Sequence, residues 1–216
     1  MKYATEKYLY EYLNTIQAQY SGTLAQIQKE ALEAEVPIVR HETARFLSTI
    51  LSIIKPKNIL EIGTAVGFSS CLMAQYLQED GKITTIDRYP IMIEKAKINI
   101  AKMELADTIN IIEGNAIEVL PTLKEEYDFI FMDCAKAQYI NLLPYCIKLL
   151  KVGGILITDD VLQGGDVAKD RLELPRRQRT THTRLREFLE TISNSDNLES
   201  SIIPVGDGIA MCHKIK

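Results

Sequence analysis

The sequence predicts an α/β fold: a seven-stranded, mostly parallel sheet covered by helices, with N-terminal helices before it and an antiparallel hairpin at its end. Three observations predict this. From Lys57 onward, short apolar runs alternate with stretches of helical periodicity, the pattern of successive βα units. The first run leads into Glu61-Ile62-Gly63-Thr64-Ala65-Val66-Gly67, where glycines let backbone approach a ligand closely and the next helix offers its positive end. The last two runs are joined through Gly206-Asp207-Gly208, a tight-turn signal that makes them antiparallel partners.

Taken in order, residues 5–34 carry apolar positions at helical spacing, interrupted at Gly22, and Pro37 breaks the pattern. Residues 40–54 form a second amphipathic stretch that ends before Pro56. The five runs that follow are 58–63, 82–87, 109–114, 127–133 and 154–160, expected as parallel strands. The segments between them, 68–79, 90–103, 115–123 and 138–150, have helical periodicity. A polar segment from Val161 to Thr180 reads as a loop, long enough to suggest a function. Runs 201–205 and 208–215 complete the sheet.

The chain has 216 residues, of which 46% are apolar, enough for one core and short for two. The expectation is a single domain over 1–216, with 1–55 as an N-terminal helical extension and 56–216 as a Rossmann-like core. A formal net charge of -4 argues against a general polyanion binder but leaves room for a local basic patch. No apolar run reaches the length of a membrane span, and residues 1–17 lack the apolar centre of a signal peptide, so a cytoplasmic protein with no membrane partner is expected. Cys71, Cys134, Cys146 and Cys212 sit singly in apolar runs and read as small buried hydrophobes, and His41, His182 and His213 are scattered.

The spacing E-x-G-x-x-x-G at 61–67 differs from a dinucleotide fingerprint. It resembles instead the first motif of S-adenosylmethionine-dependent methyltransferases. Asp87 ends the second run, where such folds place an acid that accepts from both ribose hydroxyls. Asn115 follows the third run, where the family usually carries an acid near the adenine amine, and its amide oxygen can still accept a hydrogen bond.

The fourth run ends in Met132-Asp133-Cys134-Ala135-Lys136 and the fifth in Thr158-Asp159-Asp160. In a parallel sheet these ends lie side by side, so Asp133, Asp159 and Asp160 converge. Bare buried carboxylates repel one another, and a hard divalent cation would remove the problem, with oxygen ligands favouring Mg²⁺, Mn²⁺ or Ca²⁺. At these residues the chain resembles the metal-dependent O-methyltransferases that include the catechol and caffeoyl-CoA enzymes, from about Val36 to its end. The resemblance implies a class I methyltransferase fold, S-adenosylmethionine as cofactor, and a homodimer. It implies Asp133, Asp159 and Asp160 as metal ligands, and Val39, Glu61, Gly63, Ser69, Asp87, Asn115 and Asp133 around the cofactor. Lys136 would help remove or stabilise the acceptor's proton beside Asp133. The family's fifth strand usually ends in Asp-Asn; the second carboxylate here, Asp160, should tighten metal binding and weaken the metal's Lewis acidity.

Six arginines lie between 171 and 186, opposed there by Glu173. Arginine forks suit phosphates, so Arg176, Arg177 and Arg179 are candidates for contact with RNA. Val36-Pro37-Ile38, residues 61–65, the P-R-R-x-R segment at 175–179 and residues 202–208 resemble the bacterial tRNA 5-hydroxyuridine methyltransferases, which implies a tRNA anticodon loop as partner and the wobble base as acceptor. The base's O4 and 5-hydroxyl are adjacent oxygens, as in a catechol. The competing acceptor is a small catechol or phenol, mildly disfavoured by a chain with no Trp and 7% aromatic residues.

Overall fold

The computed structural model describes residues 7–216. Residues 5 and 6 of the expected first helix, and the start of the segment weighed as a leader, lie outside the described residues. Gly22 separates α1 (Lys7–Ile16) from α2 (Gly22–Glu33), and α3 (His41–Ile54) follows the break at Pro37. The alternation from Lys57 becomes β1 (Asn58–Ile62), α4 (Phe68–Ala74), β2 (Lys82–Asp87), α5 (Pro90–Lys102), β3 (Ile109–Glu113), α6 (Ala116–Val119), β4 (Tyr127–Met132), α7 (Tyr139–Leu149) and β5 (Leu150–Thr158). After it come α8 (Arg179–Ser193), β6 (Leu198–Ile203) and β7 (Ile209–Lys214).

The seven strands form one sheet in the order β3-β2-β1-β4-β5-β7-β6. β1 pairs in parallel with β2 and β4, β2 with β3, and β4 with β5. β7 runs antiparallel between β5 and β6, with Thr158 opposite Ala210 and Ile203 opposite Ile209. The neighbours β1 and β4 reverse the direction of strand winding, so the crevice beyond their carboxyl ends is where a ligand belongs.

Side chains on a strand alternate between its two faces, and here both faces are buried. Phe129 and Phe131 of β4 face a core built with Leu24 and Ile27 of α2, Leu47 and Leu51 of α3, and residues of α4 and α5. Ile130 and Met132 face the opposite core, with Leu142 and Cys146 of α7 and Leu185, Phe188 and Ile192 of α8. This double burial explains why the strands read as near-continuous apolar runs. α2 and α3 are part of the layer covering the Phe129 and Phe131 face of the sheet. α1 leaves several large apolar side chains open, among them Tyr8 at 71% and Tyr12 and Ile16 at 59% exposure, and α2, α3 and α5 expose Leu32, Ile53 and Ile91. Among the described residues no helix is long and apolar enough to cross a membrane.

Several expectations need correction: besides β6, which starts at Leu198, α4 and α6 end earlier than expected, at Ala74 and Val119. β5 begins at Leu150, four residues before the expected run, because the ladder steps irregularly between Tyr127 and Phe129. The loop expected from Val161 to Thr180 holds three short 3-10 turns (Gln163–Ala168, Arg171–Glu173 and Arg176–Gln178) before α8 begins. α8 itself was not foreseen. Its polar, basic start hides a buried stripe, His182, Leu185, Phe188 and Ile192, at helical spacing.

Candidate active site

A cavity of about 1260 Å³ opens beyond the carboxyl ends of the parallel strands. Its walls include Ile62–Ala65 after β1, Ile86–Arg88 after β2, Gly114–Ala116 after β3, Asp133–Lys136 after β4 and Asp159–Asp160 after β5. The segment between α2 and α3, with Val36, Val39 and Arg40, and Asp207 from the β6–β7 turn complete it. The apolar rim carries Tyr89 and Ile91, exposed by 54% and 73%.

The β1–α4 loop is tightly determined. Gly63 has φ +109, and a Cβ there would lie 1.9 Å from the Asp133 carbonyl oxygen. The end of β4 therefore sits directly against this residue, and a side chain is excluded. The Ala65 N–H donates to Asp87 Oδ2 at 2.8 Å, and the Tyr89 N–H to Oδ1 at 3.0 Å. Asp87 thus braces the loop while facing the cavity, with lone pairs left for further donors. Val39 and Ser69 line the cavity, and Asn115 caps the start of α6, its oxygen accepting weakly from the Ile117 N–H at 3.4 Å.

Glu61 is placed differently. It is fully buried beneath the loop and does not line the cavity. Its Oε2 accepts from the Ser70 hydroxyl and from Thr85 Oγ1 at 2.6 Å, while its Oε1 is enclosed without a hydrogen bond. Burial pushes its carboxyl up to about 7 against the pull of the Ser69, Ser70 and Thr85 hydroxyls.

The expected acidic wall is present. Burial, and then the charges of Asp160 and Glu61, raise Asp133; burial, and then Asp133 and Asp160, raise Asp159. Asp159 is 3% exposed, and the Tyr139 hydroxyl fixes its backbone by donating to its carbonyl at 3.0 Å. Asp160 has a left-handed φ of +59 and reaches Lys136 Nζ with Oδ2 at 3.1 Å. Burial pulls Lys136 down, but Asp160 and Asp207 outweigh it and hold the ammonium above its ordinary value.

Among the described residues no three His, Cys, Asp or Glu side chains close into a ligand group, and Asp160 is paired with Lys136. The donor chemistry fits a hard cation: buried Asp159 and the partly buried Asp133 and Asp160 bring oxygen donors and charge to one wall of the cavity.

Two features escaped sequence reading. Asp207, taken as a turn residue, is buried and holds Lys136 with Oδ2 at 3.3 Å. Cys134 lines the cavity half-buried, unlike Cys71, Cys146 and Cys212, which are buried as expected. The arginines lie outside the cavity. Arg176 and Arg177 are exposed on the 3-10 turn before α8. Arg179 spends its Nε and Nη2 on the carbonyls of Leu174 and Leu172, each at 3.0 Å, so it holds the loop together.

Comparison with known proteins gives a consistent picture. A family model described as O-methyltransferase matches residues 14–215. Caffeoyl-CoA O-methyltransferase from Populus kitakamiensis is 32% identical over 229 residues, spanning 98% of this chain and 94% of its own. Tapetum-specific methyltransferase 1 from Arabidopsis thaliana is 34% identical over 192 residues, spanning 85% and 79%. Among solved structures, a candidate caffeoyl-CoA O-methyltransferase from Staphylococcus aureus superposes with a TM-score of 0.84 at 32% identity, covering 96% of this chain and 98% of that one. An O-methyltransferase from Bacillus cereus in complex with SAH does so at 0.83 and 25% identity, covering 96% and 97%.

Proposed function

The chain belongs to the O-methyltransferase family, and from that premise we propose that it carries a methyl group from S-adenosylmethionine to the 5-hydroxyl of a 5-hydroxyuridine at the tRNA wobble position. The cofactor would lie along the β1–β3 side of the cavity, among Val39, Gly63, Ser69, Asp87 and Asn115, with Glu61 acting from beneath the loop. Asp133, Asp159 and Asp160 would hold Mg²⁺, Mn²⁺ or Ca²⁺. The cation, when bound, would chelate the two adjacent acceptor oxygens and lower the pKa of one hydroxyl.

The chain's own residues do the rest by position and charge. Because Lys136 stays protonated, its role is to stabilise the developing acceptor oxyanion with an ammonium; it is a poor proton acceptor as it stands.

The observation that carries the acceptor reading is the pair Arg176 and Arg177, exposed on the turn leading into α8. α8 is tied to the reacting end: Arg184 Nη1 donates to the Ala137 carbonyl at 3.1 Å, one residue from Lys136. A phosphate backbone held at the turn would thus be registered against the cavity. One observation favours a second reading, a small catechol or phenol: curated relatives are caffeoyl-CoA O-methyltransferases.

The test is transfer of labelled methyl, with Mg²⁺ or Mn²⁺, to tRNA bearing 5-hydroxyuridine and in parallel to a simple catechol. Label in the tRNA, abolished by chelator, is expected. Label only in the catechol overturns the acceptor and leaves the chemistry.

A further inference from the structure

The β6–β7 turn looks at first like a surface connection. Its middle residue is instead buried and chemically engaged. Asp207 is 7% exposed, and its two carboxylate oxygens serve different segments. Oδ1 accepts from the Gly164 N–H, and Oδ2 meets Lys136 Nζ at 3.3 Å. Its backbone carbonyl accepts from the Leu162 N–H at 2.8 Å, and the Gly208 carbonyl accepts from the Val161 N–H at 3.0 Å. The turn itself has no slack: a Cβ on Gly208, at φ +88, would lie 2.2 Å from Leu162 Cγ. The segment it grips is strained, with Asp160 at φ +59 and Gln163 at φ +50.

Lys136 has two acidic partners, Asp160 at 3.1 Å and Asp207 at 3.3 Å. They are not equivalent. Asp160 stands beside Asp133 and Asp159 on the acidic wall, and a cation there would compete for its carboxylate. Asp207 comes from the β6–β7 turn and reaches Lys136 independently of that wall.

We propose that Asp207 is the positioning residue for Lys136: it holds the ammonium at the reacting end of the cavity when Asp160 is drawn to a cation, and fastens the 160–164 segment to the same point. This rests on the reading of the cavity as a methyl-transfer site. A strand end contributed by the antiparallel hairpin thereby becomes part of the supporting structure of the site.

The two oxygens let the roles be separated. Asp207→Asn keeps an acceptor for the Gly164 N–H but discharges the partner of Lys136; Asp207→Ala removes both. Steady-state transfer to 5-hydroxyuridine tRNA and to catechol, binding of S-adenosylmethionine by calorimetry, and amide exchange over 161–168 are measured on the full chain. For Asp207→Asn, kcat should fall by about tenfold or more, as for loss of a supporting hydrogen bond. Cofactor affinity and amide protection should stay as in the unaltered chain. In a Lys136→Met background the same change should cost nothing further, since the two act as one unit. Asp207→Ala should in addition lose protection at 161–168.

A kcat for Asp207→Asn within about twofold of the unaltered chain overturns the proposal, as does a loss that adds in full to that of Lys136→Met. Lost cofactor binding together with lost protection in Asp207→Asn assigns the residue to folding alone and also overturns it. If neither acceptor is methylated, the acceptor reading fails separately. A crystal structure of Asp207→Asn then decides: Lys136 displaced from the cavity supports the positioning role, and Lys136 unmoved sinks it.

Discussion

Gly63 and Glu61 stand two positions apart on one strand end and carry opposite kinds of constraint. Gly63 is fixed by space, since any Cβ would strike the Asp133 carbonyl. Gly63→Ala should therefore push β4 away, cost several kcal/mol of stability, and abolish cofactor binding; denaturant unfolding and calorimetry check both. Glu61 is fixed by a network of hydroxyls, and its constraint is electrostatic. Burial raises it from 4.5 to about 7, so the folded chain holds a proton that the unfolded chain releases between these values. Its contribution is full below about 4.5, falls as pH climbs, and is gone above about 7, a loss of roughly 3 kcal/mol. Glu61→Gln should flatten this part of the slope when unfolding is followed from about pH 5 to pH 8. An unchanged slope would mean that Glu61 titrates normally in the fold.

At the scale of elements, the turn Arg176–Gln178 and the start of α8 carry the acceptor prediction. Arg176→Glu with Arg177→Glu should weaken tRNA methylation by about tenfold or more, leave catechol turnover untouched, and reduce the salt dependence of binding by about one for each arginine. Arg179→Ala should act differently, loosening 172–178 through the two lost carbonyl partners, which amide exchange would detect. The strands were legible because burial on both faces makes apolar runs. β6 was placed three residues late because its outer-edge start, Leu198-Glu199-Ser200, carries polar residues that an edge strand tolerates. α8 was left unassigned because the arginines at its start masked the buried stripe of His182, Leu185, Phe188 and Ile192. The strand ends gave the acidic wall and Lys136 directly, since parallel strands deliver their carboxyl ends to one crevice. Asp207 could not be read that way: a Gly-Asp-Gly sequence signals a turn, and only the packing of Thr43 and Leu162 against its glycines turns it inward.

At the scale of the whole molecule, the prediction is association. α2 and α3 pack against the sheet while still exposing Leu32 and Ile53, and α1 presents Tyr8, Leu9, Tyr12 and Ile16 outward. We expect a second copy to cover that face, giving a dimer by light scattering that Tyr12→Glu with Ile16→Glu converts to a monomer; a monomeric unaltered chain would end this idea. The reversed direction of β7 has a consequence in time as well as in space. Because Thr158 of β5 lies opposite Ala210, the turn that supplies Asp207 arrives at the working edge from a part of the chain translated after β1 to β6. A nascent chain that has formed β1 to β5 carries its acidic wall and Lys136 but lacks the second anchor for that lysine. On the proposed reading of the cavity, the second anchor of that ammonium is in place only when the final hairpin closes.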